Sequence, residues 1–296
     1  MVETGDSPEA VDTCFAHGER GIGVATDRGM LGRLGHRLRR RAFYRLWRIY
    51  GYVGPHVSLP LREKVTVIIP SYSVERLDFI ESNVRALLKC DFVERVIVSN
   101  HNPATRIGAR VRIKDARLVL LDQPVRRGCG WGWLVASQFD PDYLISIDDD
   151  LLAVPNQVAA LFQKLVAEPA IPHGRAGAVG SQYYQCPTGP SREMEVDTLY
   201  IVYAVTRAHL RRYRELLEAL TRGHYASNDI IEYLADDVLI SRAGSGRPKI
   251  HNVGRLFHLP TFDKPGVATH RTPGFEEKRL HVRRAVDHLN SFRSVV

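Results

Sequence analysis

The sequence lacks any apolar run of about 18 residues, the length a helix needs to cross a bilayer, so no transmembrane helix is expected. Its N-terminus does not show the charged-then-apolar pattern of a secretory signal. Cysteine is scarce: Cys14, Cys90, Cys129 and Cys186 stand far apart, and no two form a C-x-x-C pair. That argues against a disulfide framework and a thiolate zinc site, and suits reduced thiols. Lysine is scarce too, at seven residues, so arginine carries most of the excess of 41 basic over 33 acidic side chains. The net charge of +8 suits an anionic partner, whether nucleic acid, acidic membrane or phosphorylated ligand, without choosing among them. With 296 residues, 44% hydrophobic and 25% charged, the chain reads as a globular protein able to bury its own core. A cytoplasmic location is expected, with contact at the inner membrane surface as a further option.

Three stretches follow from the pattern. Residues 1–30 are rich in Gly, Asp, Glu, Ser and Thr without an apolar period and are expected to be disordered. Residues 31–60 hold a basic helical segment in which Leu34, Leu38, Phe43, Leu46 and Ile49 recur at near-helical spacing between arginines. Such a helix either lies on an acidic membrane or packs on the main domain with its arginines solvated. Residues 61–296 form the expected catalytic domain. There Val65–Pro70, Arg95–Ser99, Leu118–Leu121 and Tyr143–Ile147 read as buried strands, with helices over 75–89 and 131–137 between them. Strands alternating with helices predict an α/β fold with a mostly parallel central sheet flanked by helices.

The sharpest feature is Asp148-Asp149-Asp150, directly after the fourth strand. Ligands of open α/β sheets bind beyond the carboxyl ends of strands, where this triplet falls. Three carboxylates at a half-buried strand end repel and lose hydration. A hard divalent cation, Mn²⁺ or Mg²⁺, removes that conflict and also binds phosphate oxygens. The plainer alternative is a solvated acidic turn before the next helix, expected over 156–167.

Asp236-Asp237 opens a second apolar run and reads either as the acidic first turn of a helix or as a catalytic pair. In a sugar-transfer site one carboxylate must face the acceptor hydroxyl or the anomeric carbon, and Asp237 is the first choice, then Asp236. Gly266-Val267-Ala268-Thr269-His270-Arg271, followed by Lys278, Arg279 and His281, gathers cations able to clamp a leaving diphosphate. A solvated basic helix over 276–289 is the competing reading. His258 and His270 are minor candidates as metal ligands.

Strand-Pro-x-Tyr, a distant Arg, a strand followed by an Asn loop, Asp-Asp-Asp, Asp-Asp-hydrophobic and Gly-x-x-x-His-Arg with a later Arg occur here in order. That succession resembles the exostosin-like glycosyltransferases, glycosyltransferase family 64, over roughly residues 64–290. The resemblance implies the GT-A (Rossmann-like) nucleotide-diphospho-sugar transferase fold, a UDP-sugar donor, Mn²⁺ and retention of configuration. It places Pro70, Tyr72, Arg76 and Asn100 around the uridine, Asp148 at the ribose or donor sugar, and Asp150 on the metal. Asp237 matches the carboxylate beside the anomeric carbon and Arg279 an arginine on the diphosphate. Asp149, Arg127, His270 and Arg271 complete the expected nucleotide-sugar set. This chain departs from the pattern at Arg126-Arg127-Gly128-Cys129-Gly130-Trp131, before the triplet. The expected sugar is GlcNAc- or GalNAc-like, and the acceptor an unidentified glycan, glycolipid or small molecule.

Two rival classes remain at this stage. Inverting transfer of the family 2 type would make Asp237 a general base. Nucleotidyl transfer is disfavoured, because Pro70-Ser71-Tyr72-Ser73-Val74 has no glycine for a phosphate loop. A non-enzymatic basic module for nucleic acid or membrane would leave the ordered acidic groups unexplained, and no nucleic acid is expected as partner.

Overall fold

The computed structural model describes residues 30–180, 182–185, 193–222, 230–259, 261 and 269–291. The expected tail before residue 30, Cys14, Cys186 and Gly266-Val267-Ala268 lie outside them. The chain divides into two units, residues 1–46 and 47–296. Helix α1, Met30–Val53, is longer than the periodicity suggests. Its last turns, in the second unit, pack on that unit: Trp47 is buried, and a Cβ on Gly51 would come within 3.0 Å of Ser82.

The body alternates β1 (Val65–Ser71), α2 (Val74–Leu88), β2 (Val93–Asn100), β3 (Leu118–Asp122), α3 (Trp131–Ser137), β4 (Tyr143–Ile147) and α4 (Pro155–Ala167). There follow β5 (His173–Val179), β6 (Gln182–Gln185), β7 (Met194–Glu195), β8 (Thr198–Thr206), α5 (Arg207–Arg222), α6 (Asp236–Ser241), β9 (Lys249–Ile250) and α7 (Phe275–Ser291). The strands form one sheet in the order β3-β2-β1-β4-β8-β5-β9-β7, with β6 beside β5. The α/β expectation holds, and parallel pairing is confined to β3-β2-β1-β4 and β5-β9. Strand β8 runs antiparallel to both β4 and β5.

Alternation along the strands builds the two faces. Val65, Val67 and Ile69 of β1 join Leu77, Ile80, Val84 and Leu87 of α2 and Leu161, Phe162 and Leu165 of α4 in one core. Ile68 points the other way, into a core with Ile97, Leu144, α3, α5, α6 and α7. Each such fully buried side chain contributes roughly 1.5–3 kcal/mol. The chain runs outward from β1 to β3, then returns to place β4 on the other side of β1. That reversal opens a crevice beyond the ends of β1 and β4, the usual ligand position in such sheets.

Candidate active site

The crevice is lined first by the triplet. Asp149 is buried and accepts from Ser71 Oγ at 2.8 Å, Tyr72 N at 3.3 Å and Arg76 Nη1 at 2.6 Å. Arg76 Nη2 lies 3.1 Å from Asp150 Oδ2, and its Nε and Nη2 also reach the hydroxyl and carbonyl of Thr261. One guanidinium thus clamps two of the three carboxylates. The other oxygen of Asp150, Oδ1, is buried with no hydrogen-bond partner. Burial, with Arg76 opposing and Asp149 adding, pushes Asp150 up to about 7. Half-buried Asp148 is raised well above the carboxylate range by its enclosure and by the charges of Asp150, Asp149 and Asp236.

The backbone around the triplet is bound from two sides. Asp148 N donates to Ile201 O at 3.1 Å, and Ile201 has φ +76°, a strained position for a β-branched residue. On the other side Leu152 N donates to Phe257 O and Leu259 N to Asp150 O, so Leu151 pairs with His258. His258 is held at about 4 by burial, then by Arg175, and stays neutral near pH 7.

The second acidic pair follows a π-helical turn, Ile231–Ala235. The reading as the acidic first turn of a helix holds, since Asp236 and Asp237 begin α6, and both side chains are buried. Asp237 Oδ1 accepts from Arg279 Nη1 at 2.7 Å and from its neighbour Val238 N at 2.8 Å. Arg279 also donates to Leu234 O and Tyr200 Oη. Burial opposes its charge, but Asp237 outweighs that and raises its pKa. Asp236 Oδ2 accepts from Trp133 Nε1 at 2.9 Å, and burial, then Asp237, lifts Asp236 to about 7. Buried Tyr203 packs edge-on against Trp133, and its pKa is raised by its enclosure and then by Asp237, Asp148 and Asp236.

The Arg126–Trp131 loop bridges these groups. Gly128 N and Gly130 N donate to Glu232, to Oε1 at 2.7 Å and to its carbonyl at 2.9 Å. A Cβ on Gly128 would stand 2.4 Å from Glu232 O, so only glycine fits. Arg126 lies over the rings of Tyr72 and Tyr233, and Arg127 lies over Trp131 at 3.8 Å and 3.7 Å from Glu232.

Of the residues expected from sequence, Tyr72, Arg76, Asp148, Asp149 and Asp150 converge around the triplet, and Asp236, Asp237 and Arg279 around α6. Pro70 sits at the end of β1 against Gly132. Asn100 is turned into its own loop, donating to Thr105 and to Asp122 Oδ1 at 2.7 Å. His270 is exposed in a short turn, and the Arg271 side chain lies outside the described part. Trp131 and Trp133 pack on the body, Trp133 against Tyr203 and Tyr213. Sequence reasoning missed Ser71, Tyr203, Glu232 and Thr261, which carry no motif and acquire their roles through contacts made far along the chain. Among the described residues no three His, Cys, Asp or Glu side chains converge as a ready-made metal cage.

No family model matches the chain, and no curated protein matches its sequence. Solved structures match its shape. GalNAc-T7, crystallised with UDP, GalNAc and Mn²⁺, superposes with a TM-score of 0.52 at 11% identity, over 76% of this chain and 48% of its own. TarS of S. aureus, residues 1–349 with UDP-GlcNAc, gives 0.50 at 17% identity, over 75% of this chain and 65% of its own. The chain therefore spans about half of the one and under two thirds of the other. At such identities the likeness shows the fold, the GT-A nucleotide-sugar transferase fold.

Proposed function

We propose that the protein is a metal-dependent glycosyltransferase that moves a sugar from a UDP-sugar to an acceptor hydroxyl. The observation that carries the reading is Asp150: a buried carboxylate at the crevice of a GT-A sheet, with one oxygen lacking any partner. Buried polar atoms are seldom left unpaired, and an oxygen ligand beside two more carboxylates fits a hard divalent cation. Asp150, with Asp148 beside it, would hold Mn²⁺ or Mg²⁺, which when bound offsets the charge of the leaving diphosphate. GalNAc-T7 holds UDP and Mn²⁺, and TarS holds UDP-GlcNAc, on the same fold. They support a UDP-sugar donor here and a GlcNAc- or GalNAc-like sugar.

Arg76 pairs with Asp149 and fixes the rim around Tyr72 and Thr261. Asp237, oriented by Arg279, stands as the carboxylate that stabilises positive charge on the transferring sugar. Asp236 sits beside it, oriented by Trp133. We further place the enzyme with the retaining, exostosin-like group on its order of motifs, with a glycan, glycolipid or small molecule as acceptor.

Calorimetry of UDP binding with and without Mn²⁺, on wild type and Asp150→Ala, tests the donor site. Binding that requires both the metal and Asp150 is expected, and absence of UDP binding with every divalent metal overturns the reading. Asp237→Asn should bind UDP normally yet turn over about 100-fold more slowly or worse. Full activity in that variant removes Asp237 from the chemistry, and an inverted product anomer removes the retaining assignment.

A further inference from the structure

Helix α1 carries seven arginines and no carboxylate. Its last two turns are held from one side. Trp47 Nε1 donates to Asn83 Oδ1 at 3.1 Å, and Gly51 lies against Ser82. The other side is bare: Ile49 is 54% exposed and Val53 74%. They are four residues apart, so they share one face. Tyr52 is exposed at its edge, with Arg85 over its ring. In the preceding turn of the same helix Leu46 and Arg45 are exposed, and Arg48 follows. Among the described residues eight large apolar side chains are exposed, and four of them fall within residues 46–53. Scattered exposed apolar residues need no explanation, but a row on one helical face does.

We propose that this face docks on an anionic lipid surface. The last turns of the helix would lie along the bilayer surface, with Ile49 and Val53 at the acyl boundary and the exposed Arg45 and Arg48 against lipid phosphates. Charge selects this occupant. A second copy would set arginine against arginine, since the helix has no carboxylate to answer them. A neutral surface would accept the apolar row and leave the arginines without counterparts. The docked residues 47–53 belong to the same unit as the triplet. Asn83, which receives the Trp47 bond, donates to Leu151 O at 2.8 Å and accepts from Ala153 N at 3.1 Å, directly after the triplet. This inference stands on α1 and does not depend on the sugar-transfer reading.

The test is co-sedimentation of the full chain with phosphatidylcholine vesicles made with and without phosphatidylglycerol, at physiological salt. Wild type should bind the anionic vesicles and leave the neutral ones unbound. Ile49→Glu/Val53→Glu should weaken that binding by at least about tenfold, since it removes the apolar row and adds repulsion. Leu280→Glu, at an exposed apolar residue of α7, should bind as wild type does and so separates the α1 face from the general basic charge. Both variants alter exposed side chains, and their thermal melts report that the fold is kept. Failure of wild type to bind anionic vesicles, or equal binding by the double variant, overturns the proposal. So does a concentration-dependent dimer abolished by the same double substitution, which makes a second copy the occupant. UDP calorimetry on the double variant is read separately, so loss of vesicle binding is not confused with failure of the donor site.

Discussion

Arg279 and Asp237 face each other at 2.7 Å, both almost sealed from solvent. Removing one partner of a buried pair leaves the other charge uncompensated, which costs about 3–5 kcal/mol. Arg279→Ala should therefore lower the unfolding free energy from denaturant titration by that amount, with a smaller loss for Arg279→Lys, which keeps the charge but not the full guanidinium fork. A variant Ala protein as stable as wild type would mean the pair does not anchor α6. Arg76 plays a parallel part at the triplet, and its position illustrates what a sequence hides. The acidic residues announce themselves as Asp148-Asp149-Asp150 and Asp236-Asp237. The arginines that answer them lie 73 and 42 positions away, and nothing local marks them as partners.

At the scale of elements, three local distortions surround the acidic groups: the positive φ of Ile201 in β8, the π-helical turn before Asp236, and the glycine loop against Glu232. The loop gives the sharpest prediction. Gly128→Ala must displace either the loop or the turn carrying Glu232, and so shift Asp236 and Asp237 together. A misplacement near 1 Å costs about 100-fold in rate. Turnover should fall by that order in Gly128→Ala and stay unchanged in Gly108→Ala, where an added Cβ meets nothing within 4 Å. Equal activity in the two would show that the loop does not position the acids. The regular elements were legible in advance: β4 and α3 have the bounds their residues suggested, because continuous apolar runs and helical spacing are local properties. The distortions were not legible, because each exists only where one segment is pressed against another.

For the molecule as a whole, acid stability is a balance of two opposed sets. Burial holds His101, His173 and His258 at about 4, below the roughly 6.5 of an unfolded histidine. Their contribution is present above pH 6.5 and is lost as pH falls from there through 4. Asp236 runs the other way: at about 7 when folded against roughly 3.9 unfolded, it favours the folded state increasingly as pH falls from 7 toward 4. Asp236→Asn, which keeps an acceptor for Trp133, removes its share of a counterweight that Asp150 and Asp148 also carry. Its melting temperature should drop more steeply than that of wild type between pH 6.5 and 4.5, and parallel curves would refute the balance. The sequence by itself determined the alternating strands and helices, the amphipathic faces, and the two acidic groups at element ends, since these depend on residue type and spacing along the chain. Only the tertiary structure decided that β4 settles beside β1, that β8 turns antiparallel, that Arg76 and Arg279 neutralise chosen carboxylates, and that Asp150 keeps one oxygen unpaired. Those outcomes depend on which distant segments meet, on how much water each meeting excludes, and on the resulting cost of every buried charge.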